Sequence, residues 1–196
     1  ISEVGLHELR KKLSVIPQTP FLFSGTVRQN LDPFSQYDDE QVWTAIDAGG
    51  LTCRKIVTNV GGLLGTVDEN GGNFSVGERQ LLCLSRAVLS RNKIIIMDEA
   101  TANLDNESDN AVQDAVRSNF SRSTVVVIAH RLQTVVELDQ VVVMSSGLVA
   151  EAGEPHELLC RYFGNDDSRP SAEILSTMIS LEKESKGKGV GKGKGG

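Results

Sequence analysis

The chain has 196 residues, of which 39% are hydrophobic, and a formal net charge of −6. This length is enough for a hydrophobic core, and the composition is that of a soluble globular domain without general nucleic-acid-binding character. No apolar run approaches the length of a membrane span. Cys53, Cys83 and Cys160 lack C-x-x-C spacing, which indicates reduced thiols and argues against a disulfide framework or a zinc site. Because Ile1 and not methionine begins the chain, we expect a piece of a longer protein.

A short predicted strand near the start of the chain places Gln18 at its carboxyl end. Leu13 to Ile16 have the character of a strand, and Pro17 stops it. A polar turn residue is the simpler explanation when Gln18 is considered alone. From Thr26 to Leu51 the pattern becomes helical and polar, whereas Val60 to Gly72 is rich in Gly, Asp and Asn and predicts a loop.

The next predicted helix begins at a residue suited to cap it. Ser75 is a favourable N-cap, and Ser75-x-x-Glu78 has the form of a capping box. Leu81, Leu84 and Val88 then share one helical face. A helix start with small residues offers backbone N–H groups and a positive dipole end to a phosphate, although an ordinary capped helix fits the same pattern.

An unbroken apolar run from Ile94 to Met97 predicts a central strand covered on both faces by helices. Asp98 and Glu99 follow at its carboxyl end, where ligands bind in open parallel sheets. Two carboxylates there suit a metal-phosphate site, in which one holds the cation and the other handles an attacking water. A buried strand that ends in a polar helix cap is the alternative.

The last third of the chain predicts a second buried strand, a hairpin and a tail. Val125 to Ile128 form the strand, and His130 follows at its end, where it could contact a phosphate or serve as a structural hydrogen-bonding group. Gln140 to Glu151 read as a hairpin. From Lys186 to Gly196 the Lys/Gly repeat cannot form a core, and it predicts a solvated tail.

The order of these segments resembles the ATP-binding cassette family. In that family the motifs are the Q-loop, the signature sequence, Walker B with its catalytic glutamate, the D-loop and the switch histidine, and here they match Gln18, Ser75–Gln80, Ile94–Glu99, Ala102–Asp105 and His130. The resemblance covers about residues 1–160. In detail, Phe21 to Phe34 and Phe74 to Gly77 are most similar to the second nucleotide-binding domain of the multidrug resistance-associated exporters, subfamily C.

The resemblance implies a role for each strand-end residue. Asp98 would hold Mg²⁺ through water, and Gln18 would reach both the metal and the attacking water. Glu99 would act as the base or polarise that water, and His130 would contact the γ-phosphate of ATP. Positioning and charge stabilisation of this kind carry phosphoryl transfer.

The resemblance also implies a site shared between two domains. Ser75, Val76, Gly77 and Glu78 would close on ATP held by a second nucleotide-binding domain arranged head to tail, and Asp105 would link the two sites. Glu78 departs from the family pattern, which usually has Gln.

The implied fold is α/β, a P-loop nucleoside triphosphatase core with an inserted helical subdomain at about residues 19–90. Residues 1–18 and 91–160 would form the core, and 161–196 a tail that is disordered from about residue 185. No Gly-x-x-x-x-Gly-Lys-Ser/Thr occurs in the chain. The first strands and the Walker A loop would therefore lie before Ile1, and we expect the isolated chain to bind MgATP poorly and to be inactive.

The implied function is that of an ATP-binding and ATP-hydrolysing domain that powers export of a small molecule or conjugate. Its partners would be a second nucleotide-binding domain and the coupling helices of a transmembrane domain, against which Phe21 to Phe23 would dock. It would lie on the cytoplasmic face of a plasma or vacuolar membrane, without nucleic acid and without inserting itself. The alternatives are a soluble, non-transport ATPase of this type and a non-catalytic fragment that lends its signature sequence to a partner.

Overall fold

The computed structural model describes residues 5–98, 104, 106–129 and 132–158. Two compact units divide the chain, Ile1–Ile128 and Ala129–Gly196. The predicted boundary near residue 160 and the predicted tail lie outside the described residues. None of the helices in the described part of the chain is long and apolar enough to span a membrane.

The first unit alternates helices with short strands. Its helices are α1 (Leu6–Lys11), α2 (Val27–Leu31), α3 (Asp39–Ala48), α4 (Gly50–Asn59), α5 (Val76–Ser90) and α6 (Asn106–Asn119). Its strands are β1 (Leu13–Ile16), β2 (Gly25–Thr26), β3 (Thr66–Val67), β4 (Ile94–Asp98) and β5 (Thr124–Ile128). Single 3₁₀ turns occur at Gly62–Leu64 and Glu69–Gly71.

The central sheet is parallel, with the strand order β1-β4-β5. Ile16 pairs with Met97, and Met97 pairs with Val127 on the other side. Parallel strands need long crossover connections. Between β1 and β4 the crossover contains the helices α2 to α5, and between β4 and β5 it contains α6. All three strands therefore end at the same edge of the sheet.

Only one face of this sheet is buried in the described structure, so the prediction of a sheet covered on both faces is wrong for these residues. Ile16 and Ile95 are fully buried, and they belong to the core together with Met97. On the opposite face Val15 is 60% exposed and Val126 is 49% exposed. An uninterrupted apolar run shows that the residues on both faces of the strand are hydrophobic. It does not show which of the two faces the helices of this chain cover.

The core is built around α5, which packs against β1, α3 and α6. Leu81, Leu82 and Leu84 of α5 are buried, and they join Val42 and Ile46 of α3 in one cluster. Three of the helices begin with complete capping boxes, at Thr26 for α2, Asp38 for α3 and Ser75 for α5. These local signals fix where the helices start, and the apolar faces fix how they pack.

The segment 60–72, predicted as a loop, contains a strand and two 3₁₀ turns. Thr66 pairs with Thr26 in a two-stranded antiparallel sheet, and the Val27 N–H donates to the Gly65 carbonyl at 2.9 Å. A Cβ at Gly65 would lie 2.3 Å from the Val60 carbonyl oxygen, so this close approach requires glycine. The pairing joins residues forty positions apart, which a local pattern does not reveal.

The second unit contains α7 (Leu132–Val136) and an antiparallel hairpin of β6 (Val141–Ser145) and β7 (Leu148–Gly153). The predicted hairpin is confirmed. Its two turn residues, Ser146 and Gly147, both have positive φ, at 50° and 80°. Such a turn has the twist that two-residue hairpins favour.

Candidate functional site

Two of the strand-end residues predicted for the nucleotide site lie at the carboxyl edge of the parallel sheet. Asp98 is the last residue of β4, is exposed, and pairs in register with Ile128 of β5. Gln18 is also exposed, two residues beyond Ile16, whose partner Met97 directly precedes Asp98. The sheet register therefore brings the backbones of Gln18 and Asp98 to one edge. Glu99, Asp105 and His130 lie outside the described residues.

Asp98 and Gln18 carry donor atoms of the type that a magnesium ion takes. The Asp98 carboxylate and the Gln18 side-chain amide both offer oxygen ligands, which Mg²⁺ prefers. In nucleotide sites Mg²⁺ is held by one or two carboxylates together with phosphate oxygens and waters, not by a closed protein cage. An exposed carboxylate at the end of β4 meets that requirement.

The start of α5 is a rigid, complete capping box, as predicted. The Glu78 N–H donates to the Ser75 Oγ at 3.2 Å, and the Ser75 N–H donates to the Glu78 Oε2 at 2.7 Å. The Ser75 hydroxyl acts here as an acceptor, so its own proton remains available to donate. The first-turn N–H groups of Val76 and Gly77 have no acceptor within the helix. This helix end can therefore offer several donors to an anion.

The guanidinium of Arg79 anchors the loop that leads into α5. It donates to the Phe74 carbonyl at 2.8 Å and to the Gly71 carbonyl at 3.2 Å. The position of the helix start is thus fixed from both sides, by its own capping box and by this arginine.

Gln80 connects α5 to the segment that carries Gln18. Its side chain is fully buried, and its Nε2 donates to the Pro17 carbonyl at 3.3 Å. Its Oε1 has no hydrogen-bond partner among the described residues. Gln80 is not among the predicted site residues. A polar residue four positions before Leu84, on the apolar face of the helix, is the sequence signal that indicates a buried polar contact here.

Arg86 makes the second link between α5 and the residues after β1. Its guanidinium donates to the Asn30 carbonyl at 2.5 Å, to the Asn30 Oδ1 at 3.0 Å and to the Phe21 carbonyl at 2.8 Å. Asn30 is itself buried and donates to the carbonyls of Phe23 and Thr26. This network is not predictable from a local sequence pattern, because its members are distant in the chain.

The apolar stretch Phe21 to Phe23 does not present three side chains for docking. Leu22 is fully buried in the core, whereas Phe21 is 58% exposed. Phe34, at the other end of the stretch Phe21 to Phe34 that is similar to the exporters, is 80% exposed. The docking prediction is therefore wrong for Leu22, because this residue is part of the core. The exposed aromatic side chains of the stretch are those of Phe21 and Phe34.

Comparison with known proteins gives the class and the family. A family model described as ABC transporter matches residues 1–102. The chain therefore has the α/β fold of the P-loop nucleoside triphosphatases, and it belongs to the ABC transporter family. The predicted fold class and family resemblance are both confirmed, and so is ATP as the nucleotide of the family.

Several curated relatives match the same part of the chain. Over 160 residues, 81% of this chain, it is 49% identical to ATP-binding cassette sub-family C member 2 from Rattus norvegicus and covers 10% of that relative. It is 49% identical to the probable multidrug resistance-associated protein lethal(2)03659 from Drosophila melanogaster, of which it covers 12%. It is 47% identical to the metal resistance protein YCF1 from Saccharomyces cerevisiae, of which it covers 10%. The chain thus spans about a tenth of the length of these relatives.

Proposed function

We propose that this chain is part of the nucleotide-binding domain of an ATP-driven exporter that moves a small molecule or conjugate across a membrane. The observation that carries the proposal is the shared edge of the paired strands β1 and β4, where Gln18 follows β1 and Asp98 ends β4. The names of the similar sub-family C and multidrug resistance-associated proteins support export over a soluble ATPase.

Asp98 and Gln18 are the proposed metal-contacting residues. When bound, Mg²⁺ would neutralise charge on the β- and γ-phosphates. The Asp98 carboxylate would orient the ion's water shell from the end of β4, and Gln18 would orient the attacking water from the end of β1. Glu99 would accept the proton of that water, and His130 would donate a hydrogen bond to the γ-phosphate.

The signature segment is proposed to act on ATP held by a second nucleotide-binding domain arranged head to tail. The Ser75 hydroxyl and the N–H groups of Val76 and Gly77 would donate to phosphate oxygens at the positive end of α5. Asp105 would connect the two sites of the dimer. Glu78 would stand beside the same phosphates with a negative charge.

The exposed aromatic residues are proposed to face the coupling helices of the transmembrane domain. Phe21 and Phe34 lie on the segment that links β1 to α3, and Arg86 ties that segment to α5. This arrangement would place the domain on the cytoplasmic face of a plasma or vacuolar membrane.

Transport into inside-out membrane vesicles that contain the full-length protein tests the proposal. We expect ATP-dependent uptake of at least one compound from a panel of labelled drugs and conjugates. Asp98→Asn should lower that uptake at least about tenfold, because the neutral amide lacks the negative charge with which the carboxylate holds the ion. Asp114→Asn, at an exposed position of α6, is the control and should not change it. ATPase activity in the soluble fraction without vesicle uptake would contradict the proposal.

The variant Glu78→Gln tests two effects of the Glu78 charge separately: its contribution to the stability of the capping box, and its effect on closure over the ATP of the partner domain. The neutral amide keeps the hydrogen bond to the Ser75 N–H but loses the charge at the helix start, which should cost less than about 1 kcal/mol. Because the carboxylate would repel phosphate, the variant should also trap a labelled ATP analogue more tightly. Both properties are measured in the full-length protein, as the melting temperature without nucleotide and as the trapped label.

Glu40→Gln is the matched control, since Glu40 lies in the first turn of α3. It should lower the melting temperature similarly without changing trapping. Weaker trapping in Glu78→Gln would show that Glu78 assists the closed site.

A further inference from the structure

Gln80 carries a fully buried amide in the second turn of α5, and the hydrogen bonding of this amide is incomplete. Its Nε2 donates to the Pro17 carbonyl at 3.3 Å, which is longer than the usual range, and its Oε1 has no partner among the described residues. Because the Pro17 carbonyl can only accept, the nitrogen of the amide must face it. The group left without a partner is therefore the oxygen.

An amide in this state contributes little to the stability of the fold. A buried polar group without a partner costs free energy, and one long hydrogen bond to a neutral carbonyl offsets only part of that cost. A methionine at position 80 would fill a similar volume without the cost. In natural proteins such departures from a fully satisfied core occur at functional sites, where the position of a group matters more than stability.

The atom that Gln80 holds belongs to the peptide group that leads into Gln18. The Pro17 carbonyl and the Gln18 N–H lie in one rigid plane, so a hydrogen bond to the carbonyl orients the N–H at which Gln18 begins. The Pro17 ring fixes the backbone angle φ on the other side of this carbonyl. The strand β1, which ends one residue earlier, is fixed by its pairing with β4. Gln80 therefore controls the direction in which the chain leaves the sheet edge at Gln18.

The same helix also holds the far end of this segment. Arg86 donates to the Phe21 carbonyl at 2.8 Å, whereas Gln18 and Thr19 between the two contacts are exposed. The hydrogen bond of Gln80 is adjacent to Gln18, and that of Arg86 lies three residues beyond it. Loss of the Gln80 amide should therefore release Gln18 without releasing Phe21.

We propose that Gln80 is a positioning residue of the ATPase, whose buried amide holds the Pro17–Gln18 peptide against α5 and so sets where the Gln18 side chain meets the magnesium ion and the attacking water. The proposal rests on the proposed function of Gln18, and it adds the residue that places Gln18. Gln80 is fully buried, so it acts through Gln18 and not by contact with the nucleotide. A misplacement of about 1 Å can lower a rate by about 100-fold.

Gln80→Met in the full-length protein tests this role, because it removes the amide and keeps a side chain of similar volume. ATP turnover should fall at least about tenfold. The melting temperature of the 196-residue chain with the same substitution should stay the same or rise, because no buried polar group is then left without a partner at this position.

Ser85→Ala is the matched control. Ser85 is also fully buried in α5, but its hydroxyl donates to the Leu81 carbonyl of the same helix at 3.0 Å. The variant therefore removes a buried polar group of α5 without touching the contact to Pro17, and it should leave ATP turnover within about twofold of the wild-type value.

A double-mutant cycle with Gln18→Ala shows whether Gln80 acts through Gln18. If it does, the double variant should turn over ATP within about twofold of the rate of Gln18→Ala alone, because a side chain that has been removed cannot be misplaced. Two residues that act independently would give losses that multiply.

A measurement on the 196-residue chain without nucleotide or metal tests the placement directly. In Gln80→Met the NMR order parameters of the Gln18 and Thr19 amides should fall to the range of flexible backbone, below about 0.6. In Ser85→Ala they should keep their wild-type values.

Unchanged order parameters, multiplied losses in the double variant, or a lower melting temperature of Gln80→Met would each overturn the inference. An equal loss of turnover in Ser85→Ala would also overturn it. Unchanged turnover in Gln18→Ala would contradict the proposed function of Gln18 and, with it, the role of Gln80 in turnover. A failure of the inference alone is therefore distinguishable from a failure of the proposed function.

Discussion

Glu99→Gln in the full-length protein should leave ATP binding largely intact and lower steady-state ATP turnover by about 100-fold or more. Glu99 directly follows Asp98 in the chain, and Asp98 is the exposed last residue of β4. The amide keeps the shape of the side chain, but it can neither take a proton from water nor stabilise the developing charge. Release of inorganic phosphate and equilibrium binding of a labelled ATP analogue measure the two properties.

Glu69→Gln is the control, because Glu69 is exposed in a 3₁₀ turn and its loss of charge should leave turnover unchanged. An unchanged phosphate-release rate in Glu99→Gln would contradict the assignment of Glu99 as the base. Loss of ATP binding together with turnover would instead assign Glu99 to nucleotide binding.

Asp32→Asn should lower the free energy of unfolding of the chain by about 3 kcal/mol at pH 7. Asp32 is buried, and its carboxylate accepts hydrogen bonds from Arg28 Nη1 and from the N–H groups of Gln36 and Tyr37. The amide removes the charge that Arg28 pairs with and turns one acceptor into a donor. Urea unfolding followed by the fluorescence of Trp43, the single tryptophan, measures the loss.

The same variant has a defined pH dependence. Burial opposes ionisation of Asp32, but the hydrogen bonds from Gln36, Tyr37 and Arg28 outweigh it, so its pKa lies below the ordinary value of 3.8. A carboxyl group with a lowered folded-state pKa stabilises the protein above its unfolded pKa and loses that contribution as pH falls through the folded pKa. The gap between wild type and Asp32→Asn should therefore be full at pH 7 and shrink as pH falls below 3.8.

Asp47→Asn supplies the comparison at an exposed ion pair. Asp47 pairs with Arg54, and the side chains are 46% and 50% exposed, so the loss should be below about 1 kcal/mol. Equal losses in the two variants would show that the Arg28–Asp32 pair acts as an ordinary surface pair.

The sequence by itself determined the family, the start of α5 and the strands that lead to Gln18 and Asp98, because those signals are local. Ser75 and Glu78 are three residues apart, so their capping box is visible in the sequence and forms as predicted. The strands that precede Gln18 and Asp98 were also readable, since each is a short apolar run. Their place at one edge followed from the general geometry of parallel sheets, and the register of β1 on β4 bears this out.

Only the tertiary structure decided which apolar residues are covered and which distant groups meet. Phe21 and Leu22 are both large apolar residues in the sequence, yet Leu22 belongs to the core and Phe21 is 58% exposed. The hydrogen bonds of Arg86 to Asn30 span 56 positions, and a local pattern holds no record of such a contact. Burial and long-range hydrogen bonds depend on how all the helices pack at once, whereas caps and strand ends depend on a few neighbouring residues.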